Sequence, residues 1–394
     1  MNLQHQEDKY LGRESSKVDF EVVRSKGSFV MTADGRRLID FNMGWCVGNL
    51  GWSHYAIEDA MMRFKGPEYI ATHQLYKGWG ELAQILVKMA PGNMGKCFRA
   101  TGGTEAVEIA LQAAVAHTER TEFVSVENAY HGDSMAARAV GSPPFEDWNP
   151  LFRCHRVHPP LDGQALDQVE KFLRTKRVAA FIMEPIVCNL CVEIPSEEFM
   201  SGLQQMCKKY GTLLIIDEVA TGFGRTGKMF ASEHYKLKPD IICLAKAITS
   251  GVAPMGACVM TSTVAKSYQG EDISFPTYGW HPRSVTAALA TIRYFQFHQE
   301  NLFRHVEKVS EYIERRLNAM QFKHHADIRV KGMAIGVKFE SKFYGAQICK
   351  RALERGLILS EADDGFTMFP ALTVGRKTAA EAMDILESCL GNLH

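Results

Sequence analysis

Between residues 97 and 260 the chain alternates short apolar runs with longer amphipathic stretches, and few folds accommodate that rhythm. The runs at 97–99, 122–126, 178–183, 213–216 and 241–244 have strand length and are rich in Val, Ile, Leu and Phe. Most are apolar throughout instead of alternating, which marks strands buried on both faces. The intervening stretches at 81–89, 164–174 and 197–210 read as helices, the first closed by Pro91-Gly92. After Gly102-Gly103, residues Ala106, Val107, Ile109, Ala110, Ala113 and Ala114 form one helical face. The expected fold is α/β, a mainly parallel sheet covered by helices on both sides.

The runs end in polar residues where such a sheet has its carboxyl edge, the place where open α/β sheets bind ligands. Residues 213–216 stop at Asp217-Glu218, 241–244 lead to Lys246, 178–183 close on Glu184-Pro185, and 122–126 run into Tyr130 and His131. An acid and a lysine meeting there suit a cofactor that acts as an electron sink, with the lysine bonded to it and the acid keeping a pyridinium nitrogen protonated. A buried ion pair would place the same two residues in the same way. Gly102, Gly103 and Thr104 open a helix and offer an anion site at its positive end, although Gly-Thr is also plain capping. Tyr130 is placed to cover a flat ring, or to lie with His131 at the solvent edge. Trp45 and Trp52, interleaved with Gly44, Gly48 and Gly51, form either a ligand wall or an interdomain core.

Lys plus Arg and Asp plus Glu both number 45, so no basic surplus points to nucleic acid or an anionic membrane. No stretch of 18 apolar residues occurs and the amino terminus is polar, so a cytoplasmic protein is expected. Ten cysteines are scattered without a disulfide framework. Cys188 and Cys191 form a CxxC with no second pair at zinc spacing, and no metal is expected. Length implies two lobes, with an amino-terminal segment over 1–50, a large domain over 51–285 and a smaller α+β domain over 286–394. Residues 1–27 should drape over the body or a partner subunit, and Asp34-Gly35 should turn a hairpin. Residues 141–160 read as a long loop, and a helix entered after Pro276 is followed by another at 300–320. GFGRTGKM at 222–229 imitates nucleotide-binding motifs, but Met229 stands where a P-loop needs Ser or Thr, and its strand does not lead directly into it.

Taken together these residues resemble the class III (subgroup II) aminotransferases, fold type I enzymes that use pyridoxal phosphate. The resemblance rests on Gly103-Thr104-Glu105-Ala106, Tyr130-His131-Gly132, Glu184-Pro185, Asp217-Glu218-Val219, the GFGRTG run, Lys246 with Gly251, Pro254 and Gly256-Ala257, and Thr277 before His281-Pro282. It implies a ping-pong transfer of an amino group between an amine or amino acid and a 2-oxo acid, aldehyde or ketone. Lys246 would form the Schiff base and shuttle the proton, and Asp217 would pair with the pyridine nitrogen. Val219 and Tyr130 would pack on the ring, His131 and Glu184 would lie against the cofactor, and Gly103 and Thr104 would hold the phosphate. Thr277 would reach that phosphate from the other subunit of a homodimer. Trp45, Tyr130, Asp133 and Arg225 would face the substrate, with Arg225 taking an α-carboxylate. The chain departs from many members at Ala220, where Gln is common, and at Asp133, where acetylornithine and ornithine enzymes have Arg. Asp133 and the GFGRTG run look like diaminopelargonate synthases, yet Ser360 stands where those enzymes and ω-aminotransferases carry an arginine. One substrate is therefore expected to be an ordinary amino or oxo acid and the other an uncharged or cationic amine. The alternative is an aminomutase of the glutamate-1-semialdehyde type.

Overall fold

The apolar runs pair into a seven-stranded sheet in the order Met94–Ala100, Gly256–Thr261, Ile241–Leu244, Leu213–Asp217, Val178–Met183, Glu122–Val126, Cys154–Val157. In this computed structural model residues 3–12, 20–71, 73–142, 152–270, 274 and 276–391 are described. Every pairing from Ile241–Leu244 to Cys154–Val157 is parallel, and Gly256–Thr261 runs antiparallel to both its neighbours. Successive strand residues point to opposite faces. Ile215 therefore joins the core under helix Gly103–Thr118, while Leu214 and Ile216 join the core under helices Ala165–Leu173 and Glu197–Tyr210. Full burial of each such side chain stabilises the fold by about 1.5–3 kcal/mol, which is why these strands tolerate so few polar residues before their carboxyl ends.

The flanking segments make two smaller sheets. Strands Val22–Lys26, Phe29–Thr32 and Arg37–Asp40 combine with Leu357–Ile358, so the amino-terminal strands pair with the carboxy-terminal part of the chain. Ala326–Lys331, Ala334–Phe339, Gly365–Met368 and Ser360–Ala362 form the other. A third core cluster runs through Phe41, Leu244, Trp280, Ile292, Val306, Ile335 and Met383 and binds these sheets to the large one.

Two elements differ from expectation. The two helices expected after Pro276 are one helix of 38 residues, Pro282–Ala319. Residues 296–301 are exposed and polar apart from Phe297, which interrupts the apolar stripe, but they contain no Gly or Pro to break the backbone. Cys154–Val157 is a strand inside the stretch read as loop, of which 143–151 lie outside the described residues. It is an edge strand whose polar Arg156 donates to Ala139 O at 2.8 Å and Val140 O at 2.7 Å, so apolar pattern does not mark it.

Gly256, opposite Ala100, shows how closely the sheet approaches the turn before helix Gly103–Thr118. A Cβ there would lie 2.2 Å from Gly102 O, a backbone atom that has no side-chain freedom with which to yield. Gly256→Ala is expected to cost about 1–3 kcal/mol, as overpacking does. The check is the urea midpoint, and an unchanged midpoint would contradict this contact.

Candidate active site

At the carboxyl ends of the parallel strands lies a cavity of about 950 Å³, a size suited to a small cofactor and its substrate. Strand ends and the turns after them bring Gly103, Thr104, Tyr130, His131, Glu184, Asp217, Val219 and Lys246 to its lining. The opposite wall comes from Trp45 and Cys46, from Ser360 and Thr367 of one smaller sheet, and from Phe369 just after its strand.

Asp217 ends its strand buried, with 3% of its surface exposed. Its Oδ2 meets His131 Nδ1 at 2.8 Å, and its Oδ1 accepts the Val219 N–H at 3.0 Å. His131 is equally buried, and its Nε2 has no partner among the described residues. The histidine thus fixes the carboxylate from one side and leaves the other lone pairs of the acid to the cavity. Lys246 opens a short turn, Lys246–Ile248, with its own φ at +45°. A non-glycine residue in that region stores strain, which persists only where the surroundings impose it. Among the described residues its ammonium makes no hydrogen bond and no ion pair.

Helix Gly103–Thr118 points its first turn into the same space. Its first backbone bond is Ala106 N–H to Gly102 O, so the N–H groups of Gly103 and Thr104 precede the internal ladder. A Cβ on Gly103 would sit 3.0 Å from Val219 Cγ1, so glycine lets the helix start approach Val219 closely. Thr104 Oγ1 accepts the Asp133 N–H at 3.4 Å.

The adjacent acids Asp217 and Glu218 have separate tasks. Glu218 turns away from the cavity and accepts from Thr221 Oγ1, Ala231 N–H, Ser232 N–H and Ser232 Oγ at 2.6–3.0 Å. It organises the loop after the strand. Glu184, from the neighbouring strand end, lines the cavity instead. Burial, then the charge of Asp217, push its carboxyl well above the usual range, and its Oε2 has no partner among the described residues.

At the cavity mouth Tyr130 Oη donates to Asp133 Oδ2 at 2.5 Å, and Asp133 also pairs with Arg138. The acid is therefore already balanced by a guanidinium, a partner that reading only as far as Asp133 missed. Trp45 is 63% exposed and lines the cavity, whereas Trp52 is packed beneath and donates to Asp40 Oδ2 at 2.8 Å. The structure corrects the expectation for Arg225. Its guanidinium is fully buried outside the lining and donates to Met333 O, Pro370 O and Asn49 Oδ1 at 3.0, 2.5 and 2.6 Å. It ties the GFGRTG loop to the carboxy-terminal part of the chain and is not open to a substrate carboxylate. Thr277 is exposed and does not line the cavity.

The family profile described as class-III aminotransferases matches residues 10–390. The chain is 31% identical to the aminotransferase PigE of a Serratia species, over 82% of its own length but only 39% of that protein's. It is 33% identical to a putrescine aminotransferase of Pectobacterium atrosepticum, over 80% of this chain and 70% of the relative. An amine transaminase from an uncultivated Pseudomonas species, solved with pyridoxal phosphate bound, superposes with a TM-score of 0.89 at 27% identity, covering 98% of both chains.

The residues present fit such a cofactor. A helix start with free donors suits its phosphate, the slot left by Gly103 against Val219 suits a flat ring, and a buried carboxylate with spare lone pairs suits its ring nitrogen. The unpartnered Glu184 Oε2 marks a polar position that protein atoms leave unsatisfied.

Glu184 also makes stability depend on pH. Its folded value is raised above the ordinary 4.5, so the native state binds its proton more tightly than the unfolded chain does. That contribution is complete below the unfolded value and is lost as pH rises through the folded one. In cofactor-free protein, Glu184→Gln carries no such proton, so its Tm should gain on wild type as pH is raised from the acid range. A difference that stays flat or shrinks with rising pH would refute the assignment.

Proposed function

The chain belongs to the class-III aminotransferases, with pyridoxal phosphate as its cofactor, and we propose that it exchanges an amino group between an amino or 2-oxo acid held through Arg138 and an amine without a distal carboxylate. The observation that carries this reading is the distribution of cations. Among the described lining residues Arg138 is the one guanidinium, and the wall of Ser360, Thr367 and Phe369 has no cation. Where a distal carboxylate would need a fork of donors, Ser360 Oγ accepts instead from Asn42 Nδ2 at 2.6 Å.

When bound, the cofactor supplies an electron sink for charge developing at the substrate carbon and carries the amino group between the half-reactions. Lys246 holds it covalently and, once released, serves as the base at that carbon. Asp217, oriented by His131, keeps a proton on the ring nitrogen. Gly103 and Thr104 hold the phosphate, while Val219 and Tyr130 confine the ring. Ala220 offers no polar side chain, and Glu184 Oε2, unpartnered among the described residues, is able to take the ring-oxygen contact in its place.

Arg138 is one-third exposed and can exchange Asp133 for a substrate carboxylate; in the other half-reaction it returns to Asp133. Because Asp133 is balanced in that state, a second positive charge on the amine gains less from it than from a free acid. An uncharged amine suits the site better than a diamine. An aminomutase finds no support in relatives named as aminotransferases. The exposed Thr277, whose carbonyl accepts from Tyr69 Oη at 3.1 Å, supports a homodimer in which it completes the phosphate site of a second copy. The chain divides near residues 50 and 285, and the first segment belongs with the smaller lobe because its strands pair there.

Borohydride treatment of the cofactor-loaded protein should label Lys246, and Lys246→Ala should lose both the label and turnover while remaining folded. A label on any other lysine would remove the assignment. Arg138→Gln should raise KM for a 2-oxo acid by roughly tenfold to a hundredfold, the worth of a charge-assisted hydrogen bond, and leave KM for a neutral amine unchanged. Equal effects on both substrates would show that Arg138 does not read the carboxylate.

A further inference from the structure

Trp52 does not line the cavity, yet its indole lies against both the turn that presents Trp45 and the turn that begins at Lys246. Its backbone is fixed first. Gly27 N–H donates to Trp52 O at 2.8 Å, and Trp52 N–H donates to Gly27 O at 2.9 Å. The indole N–H then donates to Asp40 Oδ2 at 2.8 Å, while Asp40 Oδ1 accepts the N–H groups of Asn42 and Met43 at 2.9 and 2.7 Å. One buried carboxylate therefore holds both the indole and the start of the turn Met43–Cys46.

The far edge of the indole meets two glycines. A Cβ on Gly48 would lie 3.2 Å from Trp52 Cη2 and Cζ3, and one on Gly251 would lie 2.8 Å from Trp52 Cζ3. Gly48 closes the Trp45 turn, its N–H donating to Met43 O at 3.0 Å. Gly251 stands at the far end of the Lys246 turn. Between them that turn is wound by bonds from Ile248 N–H to Ala245 O and from Ser250 N–H to Ala247 O, both 3.0 Å, and Lys246, Ser250 and Gly251 all have positive φ. Ser250 Oγ accepts the Leu50 N–H at 3.0 Å. The Lys246 turn is thus bonded to the 48–52 segment at Leu50 and wedged against it at Trp52.

We propose that Trp52 is a positioning residue for Lys246: held by Asp40, its indole braces the Gly251 end of the turn and keeps the lysine nitrogen aimed at the cofactor's aldehyde carbon. The inference rests on the reading of Lys246 as the residue that bonds the cofactor. A non-glycine residue at φ +45° relaxes unless its surroundings hold it, and the indole blocks the movement of Gly251 through which the turn would relax. Attachment demands close approach. The lysine nitrogen bonds to the aldehyde carbon, the carbon–oxygen bond breaks, and the oxygen leaves as water with the two amine protons. The ring and phosphate contacts assigned to Asp217, Val219, Gly103 and Thr104 come from other strand ends and do not depend on the brace.

The test compares cofactor-free wild type, Trp52→Phe and Trp52→Ala, each checked for folding by circular dichroism. Pyridoxamine phosphate has no aldehyde and reads the ring and phosphate contacts alone, so its Kd should stay within about threefold in all three proteins. Pyridoxal phosphate attachment is followed by visible absorbance and fixed by borohydride for peptide mapping. It should be slower in Trp52→Ala by roughly tenfold to a hundredfold, the cost of a misplaced reacting group. Trp52→Phe loses the bond to Asp40 and the outer edge of the indole, and its rate should fall between the two; if Trp52→Ala does not fold, Trp52→Phe decides on the same measurements. Unchanged attachment rates would overturn the proposal, and so would a loss of pyridoxamine phosphate affinity as large as the loss of rate, which marks a general collapse of the site. Borohydride labelling of a different lysine in wild type would instead remove the reading of Lys246 itself.

Discussion

The buried contact between His131 and Asp217 is the interaction on which the site depends. A carboxylate at 3% exposure needs hydrogen-bond partners, because a buried charge left without them costs several kcal/mol. His131 supplies one partner and the Val219 N–H another. Both come from turns that exist only because neighbouring parallel strands end together. The sheet thus delivers the acid, its orienting histidine and Lys246 to one edge, and the cavity follows from that convergence. Glu184 beside Asp217 is a second carboxyl, and burial and the charge of Asp217 raise it well above the ordinary carboxylate range, which opposes two adjacent negative charges in the site.

Support for this arrangement lies one layer back. Glu218 shares the strand end with Asp217 but spends its carboxylate on the 221–232 loop, and Arg225 spends its guanidinium on carbonyls at 333 and 370. Gly224 has φ +87°, and a Cβ there would lie 2.7 Å from Leu372 Cδ1, so this loop packs against the carboxy-terminal segment without room for a side chain. The run that imitates a nucleotide-binding loop is a structural knot. It holds the smaller sheet, with Ser360 and Phe369, at a fixed distance from Lys246.

Much of this was legible in residue order, because continuous apolar runs and the polar residues that stop them are local signals. The strands at 122–126 and 178–183 and the helix at 197–210 appear where the pattern places them, and Asp217 and Lys246 share the expected edge. What escaped was non-local. Arg225 looked like a substrate ligand because its acceptors lie more than a hundred residues away. Asp133 looked like a free acid because Arg138, one turn further on, returns to it only once helix Met135–Val140 forms. The unbroken helix Pro282–Ala319 was hidden by a solvated stretch that loses the apolar stripe without losing helical propensity.

In the proposed reading Asp217, held by His131, keeps a proton on the cofactor ring nitrogen. The most direct measurement loads the protein with pyridoxal phosphate carrying a 15N label at that nitrogen and records its chemical shift in wild type and in Asp217→Asn. A protonated nitrogen is expected in wild type and an unprotonated one in the variant. An unprotonated nitrogen in wild type, or the same shift in both proteins, would contradict it.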